Sequence, residues 1–455
     1  MSSFETAFKI VKELSGSFKE NERKYLSSAY QEAEVRKDFI DKFFIALGWD
    51  VNHDMQKNPY EQEVKVEKGM NIGKAQKRAD YAFYLKPNYN DVKFFVEAKK
   101  PARSLSNPDD YFQAIRYGWN ANTPLVILTD FEELHILDSR FKPDIKNSLD
   151  RKIERFHYSE YENEEKFRRI YHLFSRESVN ENFIQKKADD LPKPKGKGYQ
   201  KGLFKGGYQS IDESFLIELD EIRLALAKSF KKKNPGLESE ELTEAAQRTI
   251  DRLVFIRFLE DKLIDPEHYV SEFGNNNSPW KDFINVSRRM DAKYNGVVFK
   301  KHSLIDSDSF PGADDIEFAN ICNDLSHINS PYDFNYIPIH ILGSIYERFL
   351  GKVIHATAKQ VKIEEKQEVR KAGGVYYTPQ YIVKYIVDNT VGKLIEGKTP
   401  NEISKLKFAD ISCGSGSFLI TVYDTILQYA GKWYNEHPEN AKKDGDCTKY
   451  YRNIS

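Results

Sequence analysis

Three side chains in the first quarter of the chain, Asp80, Glu97 and Lys99, are of the types that metal-assisted phosphodiester hydrolysis uses. That reaction needs a metal ion held by carboxylates, a deprotonated water, and positive charge near the charge that develops on phosphorus. Asp80 and Glu97 can supply oxygen ligands of the kind a hard cation such as Mg2+ prefers, with waters and a substrate phosphate completing the shell. Glu97 and Lys99 lie in the string V-E-A-K. On a strand, residues two apart project from one face, so both can point to one site. Lys99 would orient or activate the attacking water and neutralise charge. A D…ExK spacing is also short and common, and the alternative is a set of solvent-facing charges on an ordinary hairpin.

A second group lies near the other end of the chain. It consists of R-K-A-G-G-V-Y-Y-T-P-Q-Y-I-V, from Arg370 to Val383, and F-A-D-I-S-C-G-S-G-S-F, from Phe408 to Phe418. The second string predicts a strand ending at Asp410, a glycine turn, and a helix running through Leu419, Val422, Ile426 and Leu427. Gly414 and Gly416 lack Cβ atoms, so the backbone there can approach a ligand closely. Such a turn stands where open α/β sheets bind cofactors. It suits the charged methionine end of S-adenosylmethionine better than a dinucleotide, whose G-x-G-x-x-G pattern would need a glycine where Leu419 stands. The alternative is a packing turn in an unrelated α/β domain.

The elements that must hold these residues follow from periodicity. From Ala33 to Leu47 the apolar residues Val35, Phe39, Ile40, Phe43, Phe44 and Leu47 recur at helical spacing, and Gly48 stops the run. RADYAFYL, KFFVEAKK, PLVILTD and ELHILD read as strands, with the helical segment DDYFQAIRYGWN between the second and third. The stretch KKADDLPKPKGKGYQKGLFKGGYQ is rich in Lys, Gly and Pro, which marks a linker or exposed loop; its lysines could instead touch phosphates. Beyond it, FLIELDEIRLALAKSF, LTEAAQRTIDRLVFIRFLEDKLI and IPIHILGSIYERFL predict a mainly helical section.

Segment by segment, the N-terminal part resembles the PD-(D/E)xK nuclease superfamily. The helix containing Q-E-A-E-V-R and F-I-D-K-F-F-I-A-L-G-W-D-V is similar to the opening helix of that fold. There the resemblance implies an acidic residue reaching towards the metal, with Glu32 as the first candidate and Glu34 as the second. Gln113 and Tyr117, four residues apart on one helical face, are similar to a Q-xxx-Y pattern of restriction-type members and add Gln113 to the catalytic candidates. Ala79 stands where the superfamily name implies proline. The C-terminal pair of motifs resembles the amino-methyltransferases that modify adenine in DNA. That resemblance implies cofactor-pocket roles for Tyr377, Thr378, Pro379, Asp410, Gly414, Gly416 and Phe418, although Ile411 and Ser412 depart from the family's usual D-P-A-C-G-S-G.

A nuclease, a helical connector and an adenine methyltransferase in one polypeptide is the layout of type IIG restriction-modification enzymes, which the middle section also resembles in Q-R-T-I-D-R-L-V-F-I-R-F-L-E-D-K and I-L-G-S-I-Y-E-R-F-L. The expected fold class is multidomain α/β plus α. It comprises a restriction-endonuclease-like α/β domain over 1–185, a basic linker over 186–210, a mainly helical connector over 211–365, and the start of a Rossmann-like methyltransferase over 366–455. The expected cofactors are Mg2+ and S-adenosylmethionine, the latter bound weakly or not at all, and the expected substrate is double-stranded DNA. The N-P-P-[YF] motif and target-recognition segment of the family do not occur in this sequence. The reading is therefore an incomplete methyltransferase, with a further chain as a possible partner supplying the rest. A non-catalytic or split subunit, and a methylation-sensing repair nuclease, are the alternatives.

Whole-chain properties bound this reading without deciding it. The 455 residues suit two to four domains, and the formal net charge of −1 places any DNA-binding surface in a local patch. Cys322, Cys413 and Cys447 are an odd number with no metal-ligand spacing, so the sequence supports neither a disulfide framework nor a zinc site. With no apolar signal core or spanning run, a soluble protein in a reducing, cytoplasmic setting is expected.

Overall fold

The computed structural model describes residues 3–59, 61–66, 79–86, 89, 91–192, 211–265, 267–275, 277–295, 297–337, 339–357, 360–366, 378, 380–414, 416–437 and 440. They form two compact units, 1–338 with 353–364, and 339–352 with 365–455.

The first unit is built on a six-stranded sheet in the order β1 (Val64–Val66), β2 (Tyr81–Phe83), β3 (Phe94–Ala98), β4 (Leu125–Thr129), β5 (Glu133–Asp138) and β6 (Lys152–His157). All neighbours are antiparallel except β3 and β4. A parallel pair needs a crossover, and α3 (Pro108–Asn120) supplies it. Asn107 caps α3 by accepting from the Asp109 N–H, and proline occupies its first turn. β3 and β4 are buried along their whole length, because both faces of the sheet are covered. That is why they read as near-continuous apolar runs.

On one face α1 (Phe4–Glu20) and the opening helix pack against Tyr81, Phe83, Phe94, Val96 and Ile127. The opening helix, called α2, comprises Glu32–Val35, a π-helical turn over Arg36–Ile40, and Asp41–Ala46. Gly48 follows it at φ +93°, the left-handed backbone that the stop signal required. On the other face α3 packs Tyr111, Ala114, Ile115 and Tyr117 against Phe95, Val126 and Leu128. Gly118 permits this approach, since a Cβ there would lie 2.5 Å from Val126 Cγ1 and 2.4 Å from Ser139 Oγ.

The rest of this unit is helical, as its periodicity predicted. It includes α4 (Ile211–Lys233), α5 (Ser239–Asp261), α6 (Pro279–Tyr294) and α7 (Asp315–Leu325). The hairpin β7 (Lys352–Ala356) with β8 (Val361–Glu365) is the exception. Arg252 on α5 forms a two-pronged ion pair with Asp306, Nη1 to Oδ1 at 2.9 Å and Nη2 to Oδ2 at 2.7 Å, and both side chains are buried. The stretch read as a linker from 186 begins inside a helix, Phe183–Asp190, where Lys187 pairs with Glu154 at 3.1 Å. Residues 193–210, with most of its lysines, lie outside the described residues.

The second unit contains α8 (Ile339–Leu350), α9 (Gln380–Val387), which continues into a π-helical turn over Asp388–Gly392, and α10 (Ser417–Glu436). Its core joins Val383, Val387, Val391, Ile395 and Ile403, with Phe408, Phe418, Val422 and Ile426 packed against them. The strand expected to end at Asp410 is not formed; residues 406–410 carry no regular secondary structure. A strand holds its conformation through a paired neighbour, and among the described residues this segment has none. Cys322 and Cys413 are free thiols, and Cys447 lies outside the described residues. No described helix is long and apolar enough to cross a membrane.

Candidate functional site

The sheet register assembles the first group of candidates. Tyr81 pairs with Val96 in the antiparallel β2–β3 ladder, so one residue further on Asp80 comes beside Glu97. The carboxylate is locked there, since Asp80 Oδ2 accepts from the Ala98 N–H at 2.8 Å. Glu97 and Lys99 share the β3 face of Phe95, and Lys99 Nζ donates to Glu97 Oε1. All three side chains are buried, unlike the solvent-facing charges of the plain-hairpin alternative. The Lys99 N–H bonds to the Thr129 carbonyl at 2.9 Å, which extends the β3–β4 pairing to the end of the site.

Burial disfavours charge, and the electrostatics follow from that. Burial, and then Asp80, push the Glu97 carboxyl up, with Lys99 opposing and Glu32 adding to the rise. Burial alone would lower the Lys99 ammonium, yet Glu97, and then Glu32 and Asp80, carry it above its ordinary value. Glu97 Oε2 is buried and has no hydrogen-bond partner among the described residues. A carboxylate oxygen in that position suits a ligand that brings its own positive charge.

Glu32, half-buried at the start of α2, is close enough to act on both Glu97 and Lys99. Glu34 has a different task. Its Oε2 accepts from the Gln31 N–H at 2.8 Å and closes the capping box of that helix. Gln113 donates to the Tyr117 hydroxyl at 2.8 Å. Burial, and then Glu97 and Tyr336, raise the Tyr117 phenol, which connects the Gln113–Tyr117 pair electrically to the β3 carboxylate. Among the described residues no group of three or more His, Cys, Asp or Glu side chains is arranged as a metal cluster. A cation here would have Asp80 and Glu97 as its side-chain ligands and water or phosphate for the remainder.

Two neighbours of this site escape sequence reasoning. Arg36 Nη1 donates to Asp80 Oδ1 at 2.6 Å, and its guanidinium lies 4.8 Å from the Tyr81 ring centre. Its spacing of four from Glu32 on α2 was the available signal. Tyr336, far along the chain, accepts the Ala79 N–H on its hydroxyl at 2.8 Å and packs its ring on Phe95 and Tyr117. No local pattern announces that contact.

The second group is set differently. Gly414 and Gly416 both have left-handed backbone, φ +52° and +79°, and Gly416 caps α10. The Ser412 N–H bonds to Asp410 Oδ1 at 3.0 Å, and the Gly416 N–H bonds to the Cys413 carbonyl at 2.7 Å. The loop is exposed, while Phe418 is half-buried against the core of its unit. A Cβ on Gly414 would come no closer than 3.7 Å to the Glu347 carboxylate, so glycine is required here by conformation and not by space. Thr378 is half-buried, and Tyr377 and Pro379 lie outside the described residues.

Comparison with known proteins adds to this geometry. Residues 338–439 match the N-6 DNA methylase family. Over 424 residues, 91% of its length, the chain is 31% identical to the type II restriction enzyme and methyltransferase RM.Eco57I of Escherichia coli. Along most of its length the chain is therefore similar to a type II restriction enzyme and methyltransferase. It spans 40% of the length of the Escherichia coli relative. The solved structure of the type IIG restriction endonuclease BpuSI aligns with 86% of this chain and 37% of its own, at 14% identity and a TM-score of 0.25. The methylase match implies use of S-adenosylmethionine, and the left-handed glycine turn fits a cofactor that needs close backbone approach.

Proposed function

We propose that residues 1–185, within the first unit, are a Mg2+-dependent DNA endonuclease of the PD-(D/E)xK type, with Asp80 and Glu97 as metal ligands and Lys99, Glu32 and Gln113 completing the site. One observation carries the reading: two buried carboxylates and a buried lysine meet on adjacent strands, and among the described residues one carboxylate oxygen, Glu97 Oε2, is left without a hydrogen-bond partner. When bound, a divalent ion supplies Lewis-acid stabilisation of the phosphoryl oxygens and a water acidified towards hydroxide. Asp80 is held in place by the Ala98 N–H, and Glu97 presents Oε2. Lys99, kept protonated by Glu97, hydrogen-bonds the attacking water or offsets the negative charge of the transition state. Gln113, steadied by Tyr117, orients the bound strand. Double-stranded DNA is the proposed substrate, residues 211–365 the connector, and residues from 366 onward the S-adenosylmethionine-binding part of an adenine methyltransferase, with Thr378, Asp410, Gly414, Gly416 and Phe418 at the cofactor.

Cleavage of duplex DNA by the full chain in Mg2+ against chelator tests the nuclease reading. Asp80→Asn and Glu97→Gln preserve shape and remove ligand charge. Each is expected to lower the cleavage rate about a thousandfold, ~4 kcal/mol of transition-state stabilisation, with the melting temperature little changed. Equal rates in the wild type and both variants would refute it and favour the non-catalytic, DNA-binding alternative.

A further inference from the structure

Asp80 is already occupied. Its Oδ2 accepts the Ala98 N–H and its Oδ1 accepts Arg36 Nη1, while Arg36 Nη2 reaches the Asp80 carbonyl at 3.4 Å. Arg36 is itself held from behind. Its Nε donates to the Tyr81 hydroxyl at 3.3 Å, its guanidinium lies over the Tyr81 ring, and the Tyr81 hydroxyl donates to Asp41 at 2.6 Å. The side chain is 16% exposed and the Asp80 side chain 10%. Arg36 also opens the π-helical turn of α2. Such turns are rare and recur at functional sites because they shift a side chain out of the ordinary helical register. Here the shift falls at the residue that meets the candidate metal ligand.

Lys99 does the same for Glu97, so each carboxylate carries its own cation. The two cations are not equivalent. Lys99 is a single ammonium on a flexible stem, whereas Arg36 is a planar fork fixed at several points. An incoming divalent ion can push Lys99 aside, but Arg36 can leave Asp80 only by also giving up Tyr81. Resting on the nuclease reading above, we propose that Arg36 is a positioning residue that competes with the metal for Asp80 and holds the metal affinity of the site down. A unit positive charge bonded to one ligand of a divalent ion weakens binding on the order of tenfold even when screened as in water, and more in a buried site.

Calorimetric titration of the full chain with Mn2+, without DNA, tests this in the wild type, Arg36→Gln and Asp80→Asn. Arg36→Gln is expected to bind Mn2+ at least about tenfold more tightly, and Asp80→Asn to lose the site. A merely structural role for Arg36 would loosen the site and weaken the metal, the opposite sign. Binding that requires Asp80 but is equal or weaker in Arg36→Gln overturns the proposal and leaves the nuclease reading standing. Binding that is absent in the wild type and in Arg36→Gln, or indifferent to Asp80→Asn, overturns the nuclease reading and the proposal together. If Arg36→Gln does not fold, as judged by circular dichroism, Tyr81→Phe decides instead. It removes the hydroxyl brace and keeps the ring, and a smaller tightening is expected; unchanged or weaker affinity overturns the proposal.

Discussion

The two groups of candidate residues sit on supports of very different stiffness. Asp80, Glu97 and Lys99 lie on or beside adjacent strands, buried, and tied by side-chain and main-chain bonds to α2, β3 and β4. Residues 411–414 of the glycine turn are exposed, and the bonds that Asp410 to Gly416 make among the described residues are local turn bonds before α10 begins. Chemistry that must hold two carboxylates to a fraction of an ångström belongs on the first kind of support. Backbone that must close around a mobile cofactor can come from the second. Amide hydrogen exchange would show the contrast directly: the β3 and β4 amides are expected to open only with global unfolding, and those of 411–416 by local fluctuation. Equal protection in the two regions would break the comparison.

The largest expected effect lies in the rigid site. Lys99→Met, which keeps the length of the side chain and removes its charge, is expected to reduce DNA cleavage by about two to three orders of magnitude in a single-turnover assay. A rate within about threefold of wild type would remove Lys99 from the catalytic set. Glycine substitutions give the next contrast. Gly118→Ala drives a Cβ to within 2.5 Å of Val126, and is expected to destabilise the first unit by about 1–3 kcal/mol in urea unfolding. Gly414→Ala has space but a left-handed backbone, and should cost the second unit about 1 kcal/mol through conformation alone. A reversed order would mean that the loop, and not the sheet, is the tightly built region.

A buried carboxylate outside either site extends the comparison to pH. Burial pushes Glu260 up to about 7, while the Val270 N–H at 3.0 Å and Arg257 oppose the shift. Because the folded pKa exceeds the unfolded one, the native state holds the extra proton between the two. Stability is therefore expected to fall as pH rises through that window and to level off above about 7. Glu260→Gln should flatten the slope in pH-dependent thermal melts, and an unaltered slope would assign it to other groups. The smallest expected effect on stability is at Asp410, half-buried in the loop. Asp410→Ala is expected to shift the melting temperature by no more than about 1–2 °C, as surface changes do, while weakening S-adenosylmethionine binding in calorimetry. A large loss of stability would make Asp410 part of the packing.

How far the sequence could be read follows the same division. β2 to β5 were legible because their apolar runs, such as F-F-V-E-A and L-V-I-L-T, are bounded by turn residues, and Glu97 and Lys99 stood out as charges inside one of them. β1 has only three residues, and β6 reads K-I-E-R-F-H with one buried position, so as sheet-edge strands they lack that signature. The strand before Gly414 was read from F-A-D, too short to hold itself extended without a neighbour. Tyr336 was invisible, and Arg36 was signalled only by its helical spacing from Glu32, for a physical reason: the contacts that give Arg36 and Tyr336 their importance are made 44 and 257 residues away in the chain. The roles of Glu32 and Glu34 could be separated only once the cap was seen, since either spacing from Gln31 was compatible with the sequence.

The central claim is that Asp80 and Glu97 jointly hold a divalent metal. Crystals of the full chain grown with Mn2+ and measured at the manganese absorption edge test it most directly. The account predicts an anomalous peak bounded by the Asp80 carboxylate and Glu97 Oε2, absent from Glu97→Gln crystals. Manganese bound elsewhere in the first unit, with these two carboxylates still paired only to Arg36 and Lys99, would contradict it.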